Sequence, residues 1–183
     1  MLCRIEREIQ EVYGMNAITS SETACCFTGH RVVPMDKTEE LRRRVADGIR
    51  YLHDNMSITT YYAGGALGFD SLAAEAVIDQ RRECGNIRLV IVIPCRDQAA
   101  RWSAADKARY ERINRDADEV ICLAERYFRG CMHQRNRYMV DHSRACICYL
   151  TEQTGGTAYT VQYARARGLQ IFNLAKPKGG GAQ

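Results

Sequence analysis

Arg135 occupies the position in this sequence that most strongly suggests chemistry. In the segment CMHQRNRYMVDHS, Met132 and Met139 recur with Arg135 at helical spacing, so the three share one face of a predicted helix. That face should point toward the rest of the fold, where a guanidinium is costly unless an anion pairs with it. The partner is either an acidic side chain of the protein or the phosphate or carboxylate of a ligand.

A glycine-rich segment carries the second group of candidates. In AGGALGFDSLAAEAV, we expect Gly64, Gly65 and Gly68 to let the backbone approach an anion at a helix N-terminus. Asp70 stands where that helix begins, and it either caps the helix or contacts a ribose hydroxyl of a ligand. The spacing is not the GxGxxG fingerprint of dinucleotide-binding proteins.

The segment FTGHR is a third candidate for ligand contact. Gly29 permits a sharp turn there. Thr28, His30 and Arg31 offer hydrogen-bond donors to a ligand, unless the segment is only a turn with solvated side chains.

The segment TEQTGGTAYT lies between an apolar run and a helical pattern. We therefore expect Gly155, Gly156 and Thr157 to form a phosphate cradle. Trp102 is the single tryptophan of the chain. Its ring either stacks on the base of a ligand or covers the edge of the sheet.

Strand-like apolar runs alternate along the chain with segments of helical periodicity. The predicted strands are 24–28, 58–63, 87–93, 118–123, 145–150 and 170–174, and the predicted helices are 38–55, 69–84, 103–116, 131–143 and 157–168. This order predicts an α/β fold, namely a single Rossmann-like three-layer domain with a mostly parallel sheet. The glycine-rich and polar segments each follow a strand, so they should meet at the carboxyl edge of the sheet, where such folds bind ligands.

The length of 183 residues suits one domain. We expect that domain at 24–174, preceded by an N-terminal helix and linker at 1–23 and followed by a disordered tail at 175–183. The longest strongly apolar run, LVIVI, is too short to cross a membrane. The first residues, MLCRIEREIQ, mix charged with apolar side chains, so we expect no secretory signal.

The cysteines favour a reducing, cytoplasmic setting. The chain has nine of them and no CxxC pair, so we expect no metal site. Five stand in strand-like runs, where we expect them to be small buried apolar side chains: Cys25, Cys26, Cys122, Cys146 and Cys148.

Five motifs, taken in order, connect this chain to a known superfamily. CCFTGHR, AGGALGFDSLAAEAV, IPCRDQAARW, CMHQRNRYMVDHS and GGTAYTVQYA closely resemble the YpsA-like branch of the SLOG superfamily, over about residues 24–174. The resemblance implies a Rossmann-like fold, a nucleotide or nucleotide-derived ligand, no further cofactor, and a homodimer. The superfamily also includes the lonely-guy phosphoribohydrolases, which cleave the base from nucleoside monophosphates, and a DNA-processing protein that binds single strands.

Comparison with the lonely-guy enzymes bears on catalysis. Arg135 matches their catalytic arginine, which lies in a helix motif similar to MHQRN. Their PGGxGTxxE loop places a catalytic glutamate three residues after its threonine, where this chain has Thr160, and the proline and one glycine of that loop are also missing. A threonine cannot act as a base at neutral pH. Hydrolysis would therefore need another carboxylate, and Asp70 is the candidate.

The sequence favours binding over cleavage. We expect a protein that binds a nucleotide or nucleotide derivative, such as a sensor in signalling or stress. The alternative is a nucleoside-monophosphate N-glycosidase that uses Arg135 and Asp70. Single-stranded nucleic-acid binding is the least favoured of the three, because the net charge is only +4 and exposed aromatic residues should be few.

Overall fold

The computed structural model describes residues 21–175, in which six strands alternate with five helices. The strands are β1 (Ala24–Gly29), β2 (Thr60–Ala63), β3 (Arg88–Ile93), β4 (Glu119–Cys122), β5 (Ala145–Tyr149) and β6 (Gln170–Asn173), and the helices are α1 (Met35–Met56), α2 (Phe69–Gln80), α3 (Ala104–Asp116), α4 (Cys131–Asp141) and α5 (Gly155–Ala166). Every strand and helix predicted between residues 24 and 174 is present, with boundaries shifted by a few residues. The predicted N-terminal helix, and all of the predicted tail except Ala175, lie outside the described residues.

The strands form one sheet in the order β4-β3-β2-β1-β5-β6, and all neighbouring pairs are parallel. The chain first builds from β1 outward to β4, and then crosses to the other side of β1 to add β5 and β6. The direction of winding thus reverses between β1 and β5, which pair from Cys25–Ala145 to Gly29–Tyr149. Ligands of open α/β sheets bind in the crevice at such a reversal, beyond the carboxyl ends of the strands.

Alternate strand residues pack on opposite faces of the sheet, and helices cover both faces. Phe27 and its neighbours on one face pack with α1, α2 and Ile113 of α3. Cys26 and its neighbours on the other face pack with α4 and α5. The predicted Rossmann-like three-layer fold is confirmed, and the sheet is parallel throughout.

One cysteine departs from the predicted burial. Cys25, Cys26, Cys146 and Cys148 are buried, whereas Cys122 is exposed. The reason is its place in β4, which is an edge strand paired only with β3 and has three exposed residues out of four.

A partly buried carboxylate joins the three helices on the α1 side of the sheet. Glu75 of α2 is contacted by Arg42 of α1 at 3.1 Å, and by Arg109 and Arg112 of α3 at 2.7 and 2.6 Å. The carboxylate is 12% exposed, so the contacts are partly shielded from water. They fix α2, whose first turn carries Asp70, relative to its neighbours.

Candidate functional site

A cavity of about 280 Å³ lies beyond the carboxyl ends of β1 and β5, at the reversal of the winding. Its lining comes from four separate parts of the chain: Phe27, Thr28, Gly29, His30, Arg31, Ala66, Asp70, Met132, Arg135, Asn136, Gly156 and Thr157. The structure thus brings together the FTGHR segment, Asp70, Arg135 and the start of α5, as the sequence predicts. The remaining predicted residues, Gly64, Gly65, Gly68, Trp102 and Gly155, are not part of this lining.

Arg135 and Asp70 form a buried ion pair in the wall of the cavity. Their Nη1 and Oδ2 atoms lie 3.6 Å apart, and the two residues are only 5% and 6% exposed. Arg135 Nη1 also donates a hydrogen bond to the carbonyl of Gly64. Arg135 Nε has no partner among the described residues. Asp70 is therefore the acidic partner of Arg135 within the protein, but it does not satisfy the Nε of the guanidinium.

Both charged groups of this pair are buried, and each affects the pKa of the other. Burial raises the pKa of the Asp70 carboxyl, and the charge of Arg135 opposes that shift. Burial likewise lowers the pKa of the Arg135 guanidinium, and Asp70 opposes it. An arginine remains protonated at neutral pH in spite of such a shift. With Arg31 nearby and Asp70 as the one carboxylate in the lining, the cavity favours an anion.

In the glycine-rich segment, Gly64 makes room for this pair, and the other two glycines adjoin neighbouring groups. A Cβ on Gly64 would overlap the guanidinium of Arg135 and lie 2.6 Å from Asp70 Oδ2. Gly68 has φ +77°, and a Cβ there would overlap the backbone of Arg31. The carbonyl of Gly65 accepts a hydrogen bond from Gln98 Nε2 at 3.0 Å. These glycines shape the wall behind the cavity.

His30 connects the two loops that flank the cavity. Its Nε2 accepts a hydrogen bond from the backbone N–H of Thr151 at 3.1 Å. An accepting nitrogen carries no proton, so the neutral ring bears its proton on Nδ1. The ring also packs edge-on to Tyr149. His30 thus orients the loop after β1, while Arg31 at the rim is exposed.

The first turn of α5 forms the opposite side of the cavity. The helix begins at Gly155, two residues before the predicted start, so Gly156 and Thr157 lie in its first turn. Backbone N–H groups in a first turn have no partner within the helix, and they can bind an anion.

Thr160 occupies the position of the glutamate in the related hydrolases, and it is 1% exposed. Its Oγ1 accepts a hydrogen bond from Asn136 Nδ2 and donates one to the carbonyl of Gly156, both at 2.8 Å. Thr160 thus joins α4 to α5. Asn136 lines the cavity but is absent from the predicted site. Its spacing of four residues from Met132 on a helix facing the site could have identified it.

Trp102 is half-buried and packs edge-on to Tyr110, with 5.3 Å between ring centroids. Its contact with a ligand base stays a prediction. In the range 21–175, no group of three or more His, Cys, Asp or Glu side chains is arranged to hold a metal ion. Over the same residues, no helix has the length and apolar character needed to cross a membrane.

Comparisons with known proteins show which family this chain belongs to. The model of the YspA SLOG family, to which YpsA gives its name, matches residues 25–171. The uncharacterized SPbeta prophage-derived protein YoqJ of Bacillus subtilis is 31% identical over 128 residues, which are 62% of this chain and 75% of that protein. The UPF0398 protein YpsA of the same species is 27% identical over 106 residues, 56% of this chain and 59% of that protein.

A solved structure is similar in fold. DNA processing protein A from Helicobacter pylori, whose single-stranded DNA binding mode has been described, superposes with a TM-score of 0.61 at 17% identity. The match covers 87% of this chain and 68% of that one. At this identity the likeness supports the Rossmann-like fold only. The family match covers most of the chain and confirms the resemblance seen in the motifs. The chain therefore belongs to the SLOG family represented by YpsA.

Proposed function

We propose that this protein binds a nucleotide or nucleotide derivative in the cavity between β1, β5 and the first turn of α5. The observation that carries the proposal is the unsatisfied Nε of Arg135, a buried cation in the cavity wall. A buried donor without a partner costs about 1–3 kcal/mol. A ligand oxygen that accepts this hydrogen bond removes that cost, and hydrogen bonds between charged groups are the strong ones.

The walls of the cavity suit the two ends of a nucleotide. The N–H groups at the start of α5, together with Arg31, offer donors to a phosphate. Asp70 offers acceptor oxygens to ribose hydroxyls. The volume of about 280 Å³ is at the lower end for small-molecule sites, so we expect a mononucleotide-sized ligand rather than a dinucleotide.

Titration calorimetry with a panel of mononucleotides and their derivatives tests this proposal. Arg135→Ala should weaken binding more than about tenfold. Because Arg135→Ala leaves Asp70 buried and unpaired, Arg135→Lys and Arg31→Ala serve as milder variants, and both should also weaken binding. Arg43→Ala removes an exposed arginine from α1 and should bind as the unaltered protein does. The absence of binding by every nucleotide in the panel would contradict the proposal.

Asp70 makes an N-glycosidase the second candidate. It is the carboxylate in the cavity lining and it lies beside Arg135, so its role in such a reaction would be to activate a water or to stabilise the positive charge that develops on the ribose. Incubation with nucleoside monophosphates, followed by chromatography for free base, tests this activity. Loss of product in Asp70→Asn would support it. Cleavage that persists without Asp70 and without Arg135 would rule out this mechanism.

A further inference from the structure

A second concave surface lies on the outer side of α4 and α5, facing away from the sheet. We call it the α4–α5 groove, and its volume is about 850 Å³. Its lining consists of Phe128, Arg129, Gly130, His133, Gln134, Arg137, Tyr138, Asp141 and Tyr159. None of these residues lines the cavity described above. The cavity and the groove lie on different faces of α4, because Met132 lines the cavity whereas the adjacent His133 lines the groove.

The groove carries an excess of positive charge. Its one carboxylate, Asp141, is paired with Arg167 at 2.9 Å and also accepts a hydrogen bond from Tyr163. Within the described part of the chain, neither Arg129 nor Arg137 is paired with a carboxylate. Two arginines without a salt bridge therefore stand in one groove with a single carboxylate, and an anionic partner complements this excess of positive charge.

Aromatic rings lie against Arg137 and line the rest of the groove. The guanidinium of Arg137 lies over the rings of Tyr159 and Tyr163, at 5.7 and 5.5 Å from their centroids. His133 packs edge-on to Tyr159 at 4.5 Å. Phe128 is 45% exposed, and among residues 21–175 no other ring packs against it. Phe128 thus offers an exposed ring in the same groove as Arg137, whose guanidinium is held by Tyr159 and Tyr163.

Flat aromatic faces beside arginines are the chemistry that binds single-stranded nucleic acid. Bases stack on the rings, and the phosphates between them contact the guanidinium groups. A duplex keeps its bases stacked inside and cannot use Phe128 in this way. We propose that the α4–α5 groove binds single-stranded nucleic acid, independently of the ligand in the cavity. The sequence disfavoured this function for lack of exposed aromatic residues, but the fold gathers the aromatic residues of α4, α5 and the preceding loop in one groove.

Fluorescence anisotropy of the whole chain with labelled oligothymidine and oligouridine tests the proposal, at salt concentrations of about 50 and 200 mM. Both strands should bind, with the affinity falling as salt rises, and a duplex of equal length should bind more weakly. The preference between the two strands identifies DNA or RNA as the source of the ligand.

Single substitutions separate stacking from charge. Phe128→Ala should weaken binding about fivefold or more with little change in the salt dependence. Arg137→Ala should weaken binding and reduce the slope of log K against log salt by about 0.7, whereas Arg137→Lys should keep that slope. Arg43→Ala, on the opposite face of the molecule, is the matched control and should have no effect. Calorimetry should show that Phe128→Ala leaves mononucleotide binding unchanged.

Three results would overturn the proposal. The first is no binding of either strand at the lower salt concentration. The second is that Arg31→Ala no longer binds the strand whereas Phe128→Ala binds it unchanged, because the strand would then occupy the cavity. The third is a dimer in sedimentation that dissociates in Phe128→Ala, because the groove would then be an interface between two copies of the chain.

Discussion

Replacing Gly64 by alanine should displace the ion pair of Arg135 and Asp70 in the cavity wall. The added Cβ would overlap the guanidinium of Arg135 and come within 2.6 Å of Asp70 Oδ2. The conflict is with a packed ion pair whose two members are at least nine-tenths buried, so neither can swing into solvent without breaking it. The backbone of Gly64 shows no positive φ, so the effect comes from the lost space alone.

The size of the effect follows from the pair that must separate. Breaking a buried ion pair costs about 3–5 kcal/mol, because one charge is left without compensation. For a chain of this length each kcal/mol lowers the melting temperature by about 2–4 °C, so Gly64→Ala should lower it by about 6–20 °C. Urea titration should show a lower midpoint with an unchanged m value. Mononucleotide binding should be lost as well.

Two comparisons show whether the reasoning is correct. Gly85→Ala adds the same methyl group in open space at the surface, and it should change stability by no more than about 0.5 kcal/mol. In a double-mutant cycle, Gly64→Ala should cost less once Arg135→Ala has removed the larger of the two conflicts, so the two effects should not fully add. Wild-type stability of Gly64→Ala, or full additivity with Arg135→Ala, would show that Arg135 does not lie over Gly64.

Three other substitutions test features around the site. Burial alone would raise the pKa of Glu75, but the hydrogen bonds and charges of Arg109 and Arg42 lower it from 4.5. The stabilisation by the ionised Glu75 is therefore present above about pH 4.5 and is lost as the pH falls through the lowered pKa. In urea titrations, Glu75→Gln should lower the free energy of unfolding by about 1–3 kcal/mol at pH 7 and by much less near pH 3. Thr160→Val leaves Asn136 Nδ2 without its acceptor and should cost about 1–3 kcal/mol by thermal melting, whereas Thr160→Ser should cost less than half as much. Gly68→Ala forces a side chain into φ +77° against the backbone of Arg31, and a melting temperature equal to that of the unaltered protein would contradict the geometry of this turn.

The fold and most of the cavity were accessible from the sequence for a physical reason. Apolar runs and helical periodicity follow directly from burial on the two faces of a parallel sheet, so the order of elements could be predicted. Once the strands are parallel, their following loops must meet at one edge, which brings together the FTGHR segment, Asp70 and the start of α5.

Contacts between distant residues were less accessible. The helical stripe predicts that Arg135 lies inside the fold, but it could not show that Asp70, 65 positions earlier in the sequence, pairs with it. The glycines of AGGALGFD predict an anion cradle, which stays a prediction, but the sequence could not show that Gly64 also makes space for the side chain of Arg135. The helical spacing of Asn136 from Met132 indicates its place beside the site, but its hydrogen bond to Thr160 on another helix has no signal in the sequence. Such pairings depend on register and packing, which no local pattern encodes.

The pairing of β1 with β5 determines how late in folding the site can form. His30 and Thr151, which hydrogen-bond across the two flanking loops, are 121 residues apart, so the cavity closes only after one of the longest loop closures in the chain. A nascent chain that ends before β5 already contains Asp70 and Arg135 but has no start of α5 to face them. A ligand that needs both sides binds only the fully assembled sheet, and at a hundredfold excess over its Kd it stabilises that state by about 2.7 kcal/mol. Ligand binding thus reports the completion of folding.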